Sequence, residues 1–293
     1  MQTLLNLLSS VALLVWGTHI VRTGILRVFG SDLRHILSTS VSSRGAAFLA
    51  GLGVTALVQS SSATALIASS FVSQNLLTLS SALAIMLGAD IGTALIALVL
   101  SLNLQWLSPL CIFFGVVVFL SRRNTRAGQI GRVAIGMGLI ILSLQLVAIA
   151  TAPITAAQGV RVIFGTLSGD PMLDMLIGAA FTMFSFSSLA VILLTATFAA
   201  AHVVSVPVAM CLVLGSNLGS GLLALLVNAR TPGAGRRVAV GNLVFKTVGC
   251  VLFYALLPWV MAYIARLEPD VRRGVLYFHV LFNVTLVVMF LWF

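Results

Sequence analysis

Gly53-Val-Thr-Ala-Leu-Val-Gln-Ser-Ser-Ser-Ala-Thr-Ala-Leu-Ile67 is apolar at its ends and polar in its middle. One glutamine, three serines and a threonine interrupt a run that otherwise suits a membrane interior, so the segment is poorly fitted to face lipid. Backbone that leaves its helix at membrane depth is tolerated where it is buried in protein or lines a cavity, and there its freed amides and hydroxyls replace an ion's hydration shell. The segment therefore predicts a re-entrant helical hairpin with its break near Gln59 to Ser62. The competing reading has these serines bonding back to the carbonyl four residues earlier, or joining neighbouring helices. A second copy argues for the hairpin, because Ser185-Phe-Ser-Ser188 keeps the same register to a following Gly-x-x-x-Gly segment.

The two copies belong to a longer repeat. A displacement of 127 residues (178 − 51) places Gly51 on Gly178, Thr55 on Thr182, Ser60-Ser61 on Ser187-Ser188, Gly88 on Gly215 and Gly92 on Gly219, with no gap between 51–100 and 178–227. Polar landmarks seldom coincide by chance in an apolar chain, and a fixed internal period signals duplicated architecture. The repeat cores are taken as 45–100 and 174–227.

Around them the chain is 60% hydrophobic and 8% charged, which excludes a soluble fold. Apolar runs near 4–21, 79–100, 106–121, 129–150, 206–227, 239–265 and 274–293, with the polar-interrupted stretches 45–73 and 174–200, predict an all-α integral membrane protein of about eight embedded units. Residues 1–293 read as a single transmembrane transport domain. The first run passes through Trp16, His19 and Arg22 without a small-residue cleavage signature, so it reads as a retained helix.

The net charge of +10 does not point to nucleic acid, because the arginines are spread over short connections and form no basic face. Their placement reports topology. Arg22, Arg27, Arg34, Arg44, Arg122, Arg123, Arg126, Arg132, Arg230, Arg236 and Arg237 are assigned to loops on one side, against Arg161, Arg266, Arg272 and Arg273 on the other. The positive-inside rule makes the first side cytoplasmic, and the two repeats are then inverted, as in many secondary transporters.

Asp90 is the acidic residue that falls inside an apolar run, and its repeat mate Asn217 is neutral. A carboxylate at membrane depth pairs, lines water or binds a cation. Oxygen ligands from Asp90, Thr93, Asn217, Ser220 and hairpin carbonyls suit sodium, a hard cation; the alternative is a structural ion pair with Lys246, the lone lysine. The glycines of 88–92 and 215–221 serve either close helix packing or function. Cys111, Cys211 and Cys250 lie singly in apolar runs and read as inert packing residues. The four histidines show no ligand spacing, no metal other than sodium is implied, and no hydrolase or ATPase motif appears, so an enzyme is not indicated. Energy for uphill movement would come from a gradient.

Val58-Gln-Ser-Ser-Ser-Ala-Thr64, Leu87-Gly-Ala-Asp-Ile-Gly-Thr93 and the second copy resemble the sodium-dependent phosphate cotransporter family, Na/Pi type II, in its bacterial form. Leu14-Val-Trp-Gly-Thr-His-Ile-Val-Arg-Thr-Gly24 and His279-Val-Leu-Phe-Asn283 are similar to family segments as well. The resemblance implies phosphate and sodium ligands from Gln59, Ser60, Ser61 and Ser62 of one hairpin with Ser187 and Ser188 of the other; phosphate is assigned to Gln59, Ser60, Ser61, Ser187 and Ser188, and sodium to Ser62 and Thr64 beside the Asp90, Thr93, Asn217 and Ser220 set. Lys246 is the charge partner if it faces the site. The implied partners are inorganic phosphate, sodium as co-substrate and the lipid bilayer of a bacterial inner membrane, with a homodimer as the oligomer to test. Two departures stand out. Phe186 replaces the glutamine usual in the second motif, and the PhoU-like cytoplasmic domain of many bacterial members is absent, with the chain stopping at Phe293 inside an apolar run, as in a truncated gene product. Phosphate export or a channel without sodium coupling, and a non-transporting phosphate sensor, are the alternatives carried forward.

Overall fold

The computed structural model describes residues 2–39, 43–102, 104–156, 170–229 and 233–292, and all regular structure among them is α-helical. The helices are α1 (Gln2–Thr39), α2 (Arg44–Val58), α3 (Ser61–Ser73), α4 (Leu79–Ser101), α5 (Leu107–Ser121), α6 (Arg126–Ala156), α7 (Pro171–Ser185), α8 (Ser188–Ala200), α9 (Val206–Val227), α10 (Ala234–Ala255), α11 (Leu257–Leu267) and α12 (Val271–Phe290). Six of them are long and apolar enough to cross a bilayer: α1, α4, α9, α10, α12 and the Arg126–Ala152 part of α6. The members of the pairs α2–α3 and α7–α8 have 13 to 15 residues. At 1.5 Å per residue each is about 20 Å long, short of a hydrocarbon core of about 30 Å.

Three boundaries differ from the sequence reading. The run at 106–121 forms α5, whose 15 residues fall short of a span. The run at 239–265 divides at Leu256 into α10 and α11, where Pro258 lacks the amide that a continuous helix needs and crowds the preceding turn. The first run does not end near residue 21. It continues to Thr39, so Arg22, Arg27 and Arg34 lie on α1 and not in a loop. The reason is a seven-residue spacing of buried Leu14, Val21 and Val28 that continues past the first arginine. Gly17 and Gly24, also seven apart, let α1 close on α6: a Cβ at Gly17 would sit 3.0 Å from the Gly136 carbonyl, and one at Gly24 2.7 Å from Val133 Cγ2. Charges that lie off this packed stripe do not end the helix.

Each short pair packs against the long helix that follows it, and glycine makes the approach possible. Gly88 on α4 lies against the Phe48 carbonyl of α2, and its mate Gly215 on α9 lies against the Met175 carbonyl of α7. A Cβ at Gly92 or at Gly219 would come within 2.6 Å of the carbonyls of Leu52 and Ala179. The displacement of 127 thus holds for both members of each contact (215 − 88, 175 − 48), and these glycines are packing residues. The long helices keep the same pattern: α10 packs on α3, α9 and α4, while α12 packs on α8, α4 and α9.

The ends of the short helices are placed differently. Arg44 at the start of α2 shares a recess with Leu79 and Ser80, and Val72 near the end of α3 shares one with Leu79 and Arg237. Ala200, the end of α8, instead meets Leu100, Arg272 and Arg273 at the far end of α4. Arg44 and Arg237 thus lie toward one end of α4 and Arg272 and Arg273 toward the other, while Arg161 and Arg230 lie outside the described residues.

Backbone contact at Gly88 and Gly215 gives a sharp expectation. Gly88→Ala or Gly215→Ala drives a methyl group into a carbonyl and costs about 3 kcal/mol or more, at the upper end of overpacking effects. Gly53→Ala, on the same helix pair but with open space at its Cβ position, is tolerated. Melting temperature and monodispersity of the three purified variants in detergent check this.

Candidate functional site

α2 ends because Gln59 turns left-handed, at φ 57° and ψ 31°, while its amide still bonds to the Thr55 carbonyl at 2.7 Å. Ser60 follows in extended conformation (φ −151°, ψ 102°) and caps α3, its hydroxyl accepting from the Ala63 amide at 3.3 Å. The second pair repeats this turn. Phe186 is left-handed at φ 53° and ψ 26°, Ser187 is extended at φ −152° and ψ 103°, and the Ser187 hydroxyl accepts from the Ala190 amide at 3.2 Å. Non-glycine residues seldom adopt this left-handed region, so two at one repeat position mark a shaped backbone, not a slack one.

The arms of each pair are tied by hydroxyls, by different means. Thr55 and Thr64 share a 2.7 Å hydrogen bond across the first pair. In the second, valine stands at 191, and Thr182 instead bonds Ser216 of α9 at 2.8 Å, with the Ser216 hydroxyl directed to the Ser188 carbonyl at 3.5 Å.

Both breaks open onto one cavity of about 700 Å³. Gln59, Ser60, Ser61 and Ser62 line it from the first pair, Ser185 to Ser188 with Phe181 and Phe184 from the second, and Trp16, His19 and Arg22 from α1. Arg22 bridges the two turns: one guanidinium nitrogen lies 3.4 Å from Ser60 Oγ and 3.5 Å from the Phe186 carbonyl, and the other lies 3.4 Å from His19 Nδ1. Among the described residues no acidic side chain lines the cavity, and Arg22 has no carboxylate at ion-pair distance. Gln59 offers its amide nitrogen to Met137 Sδ at 3.4 Å, while its buried Oε1 finds no partner among the described residues.

These features have the chemistry to hold an anion. The first-turn amides of a helix have no partner inside the helix and carry the positive end of its dipole. Here the N-termini of α3 and α8 meet at one cavity, together with serine hydroxyls and a guanidinium whose planar fork matches a tetrahedral oxyanion. The structure thus brings Gln59, Ser60, Ser61, Ser62, Ser187 and Ser188 together. Arg22 is the residue that sequence reasoning missed. Its signal was the unbroken helical spacing on both sides of it, with Trp16 and His19 three residues apart on the approach.

The other proposed ligands lie apart from this cavity. Thr64 spends its hydroxyl on Thr55, and Thr93 bonds back to the Ala89 carbonyl at 3.1 Å. Asp90 forms the ion pair that was the alternative to a sodium site: Lys246 Nζ lies 2.8 Å from Asp90 Oδ1 and 2.6 Å from Ser220 Oγ. Asn217 donates to the Val213 carbonyl at 2.9 Å and meets His279 Nδ1 at 3.2 Å, where Asn283 Nδ2 also arrives. His279 and Asn283 had no role in the sequence reading beyond family resemblance.

Comparison with known proteins agrees with this architecture. Residues 13–148 and 153–287 each match the Na+/Pi-cotransporter family, so the two halves carry the same signature. Proteins of Escherichia coli K12 and Salmonella typhimurium named "Putative inorganic phosphate export protein YjbB" are 57% identical over 283 residues, which is 97% of this chain and 52% of theirs. The chain thus spans about half the length of those relatives. A Bacillus subtilis protein, YqeW, named as uncharacterized, is 25% identical over 291 residues and is covered over 94% of its length. No solved structure matches the chain significantly. With nearly all of its length matched in two halves, the chain belongs to the Na+/Pi-cotransporter family.

Proposed function

We propose that this chain moves inorganic phosphate across a bacterial inner membrane by alternating access, binding it in the cavity between the two helix breaks. The observation that carries the reading is the convergence of Arg22 and the N-termini of α3 and α8 on one cavity that no acidic side chain lines among the described residues. Phosphate needs several donors and a compensating positive charge, and this cavity supplies both. Ser60 and Ser187 cap their helices and so orient the amides, while Ser61, Ser62 and Ser188 present hydroxyls and amides beside them. The family assignment and the name of the E. coli and Salmonella relatives support phosphate as the substrate.

The repeats are inverted and the short pairs re-entrant on this reading. Support comes from α3 and α8, which leave the shared cavity toward opposite ends of α4, one beside Arg237 and the other beside Arg272 and Arg273. Two half-helices that meet N-terminus to N-terminus at the midplane are the arrangement that secondary transporters use for anionic groups.

Sodium enters as co-substrate at the hairpin turns, through Ser62 and backbone carbonyls beside the bound phosphate. A second reading, phosphate movement without sodium, is favoured by one observation: Arg22 already places a fixed positive charge in the cavity. ³²P-phosphate flux into liposomes containing the purified chain separates the two. Accumulation driven by an inward sodium gradient and lost in potassium supports coupling, equal flux in both salts supports the uncoupled reading, and no phosphate flux in either contradicts the transport assignment.

Arg22 gives the second test. Arg22→Gln removes a charge-assisted contact of about 1.5–3 kcal/mol, which lowers phosphate affinity by about 10- to 100-fold. Arg22→Lys keeps the charge without the fork and falls between. Equilibrium ³²P-phosphate binding to the variants reads this, and wild-type affinity in Arg22→Gln would remove the guanidinium from the site.

A further inference from the structure

The phosphate path leaves one buried polar cluster unused, and the two halves of that cluster differ in charge. Asp90 on α4 has Asn217 on α9 as its mate (217 − 90 = 127). α10 and α12, which pack on the two repeats in matching ways, also carry a shared pattern, Asn242-x-x-Phe245-Lys246 and His279-x-x-Phe282-Asn283. Lys246 therefore has Asn283 as its counterpart. One half holds a carboxylate paired with an ammonium, where the other holds two carboxamides that each meet His279 Nδ1.

The surroundings of the ammonium are those of a small cation. Lys246 is 1% exposed and Asp90 4%. Nζ touches Asp90 Oδ1 at 2.8 Å and Ser220 Oγ at 2.6 Å. Ser220 gives its own proton to the Asn217 carbonyl at 2.8 Å, so a hydroxyl lone pair is what faces Nζ. Asp90 Oδ2 is buried and finds no partner among the described residues. A carboxylate and a hydroxyl lone pair converge on one positive centre, and hard monovalent cations take the same donors. A buried carboxylate at this depth requires such a centre.

We propose that Asp90 marks a cation site that the chain fills with its own ammonium, Lys246 Nζ standing where a free sodium ion would otherwise bind. The tethered cation joins α4 of the first repeat to α9 of the second through α10, and this position exchanges no sodium. Its meaning for transport rests on the phosphate-transport reading: with Arg22 in the cavity and Lys246 at Asp90, two positive charges are covalently supplied, and any sodium coupling is confined to the hairpin turns. The occupancy itself does not rest on that reading.

Thermal unfolding of the purified full chain in detergent tests the occupancy without phosphate present. Wild type, Lys246→Asn, which copies Asn283, and Asp90→Asn/Lys246→Asn, which copies the neutral half, are compared in sodium and potassium chloride at equal ionic strength. Lys246→Asn uncovers the carboxylate and gains a sodium-specific rise in melting temperature of about 4 °C or more over the wild-type response. The double variant returns to the wild-type response. The proposal is overturned by a wild-type sodium response that the double variant abolishes, by a Lys246→Asn protein that is folded but indifferent to sodium or that sodium fails to rescue, or by loss of both variants, since two carboxamides must be accepted here as they are in the second half. Because phosphate takes no part, failure here leaves the transport reading to the flux assay.

Discussion

A helix that stops short leaves amides at its break in need of partners, and on the proposed reading, with the breaks at membrane depth where lipid offers none, the architecture of this protein follows from that constraint. Two helices stop, at Gln59 and at Phe186, and the chain restarts each time with a capping serine. The freed amides of α3 and α8 point at the same cavity, with Arg22 bridging the turns. A buried unsatisfied donor costs about 1–3 kcal/mol, so such a backbone persists where water or an anion answers it. On the proposed reading, the anion site and the strained turns thus share one origin.

The rest of the molecule holds the breaks in place. Left-handed Gln59 and Phe186 each carry strain of order 1–3 kcal/mol, which surrounding contacts must over-determine. Glycine-mediated backbone contact fixes α2 on α4 and α7 on α9, while threonine hydroxyls bind the arms across each turn or to the next helix. α1 lies along α6 through Gly17 and Gly24 and delivers Trp16, His19 and Arg22 to the cavity. The buried Lys246–Asp90 pair then joins the repeats through residues that do not line the cavity. Removing one partner of such a pair costs far more than replacing both.

Much of this was legible in the residues. α4 ends one residue beyond the expected 79–100 and α9 occupies 206–227 as read, because an apolar run bounded by Thr78 or Ser205 leaves little choice of register. The serine positions located both breaks, since a cap must follow the residue that leaves the helix. What escaped was long-range. Arg22 reads as a loop residue under a rule that places arginine outside the membrane, yet its helix continues because its packed face is apolar and its charged face meets a cavity. Asp90 offered two partners by chemistry alone, a cation or Lys246, and 156 residues separate it from the lysine that it meets (246 − 90). Sequence distance hides such a choice, and only the packing of α10 on α4 decides it.

The proposed transport mechanism turns on where phosphate sits. The most direct measurement is an experimental structure of the protein in lipid nanodiscs with saturating inorganic phosphate. The account predicts tetrahedral density between Arg22 and the N-termini of α3 and α8, within hydrogen-bond reach of Ser60 and Ser187. Ordered phosphate elsewhere in the protein, with that cavity holding none, would contradict it.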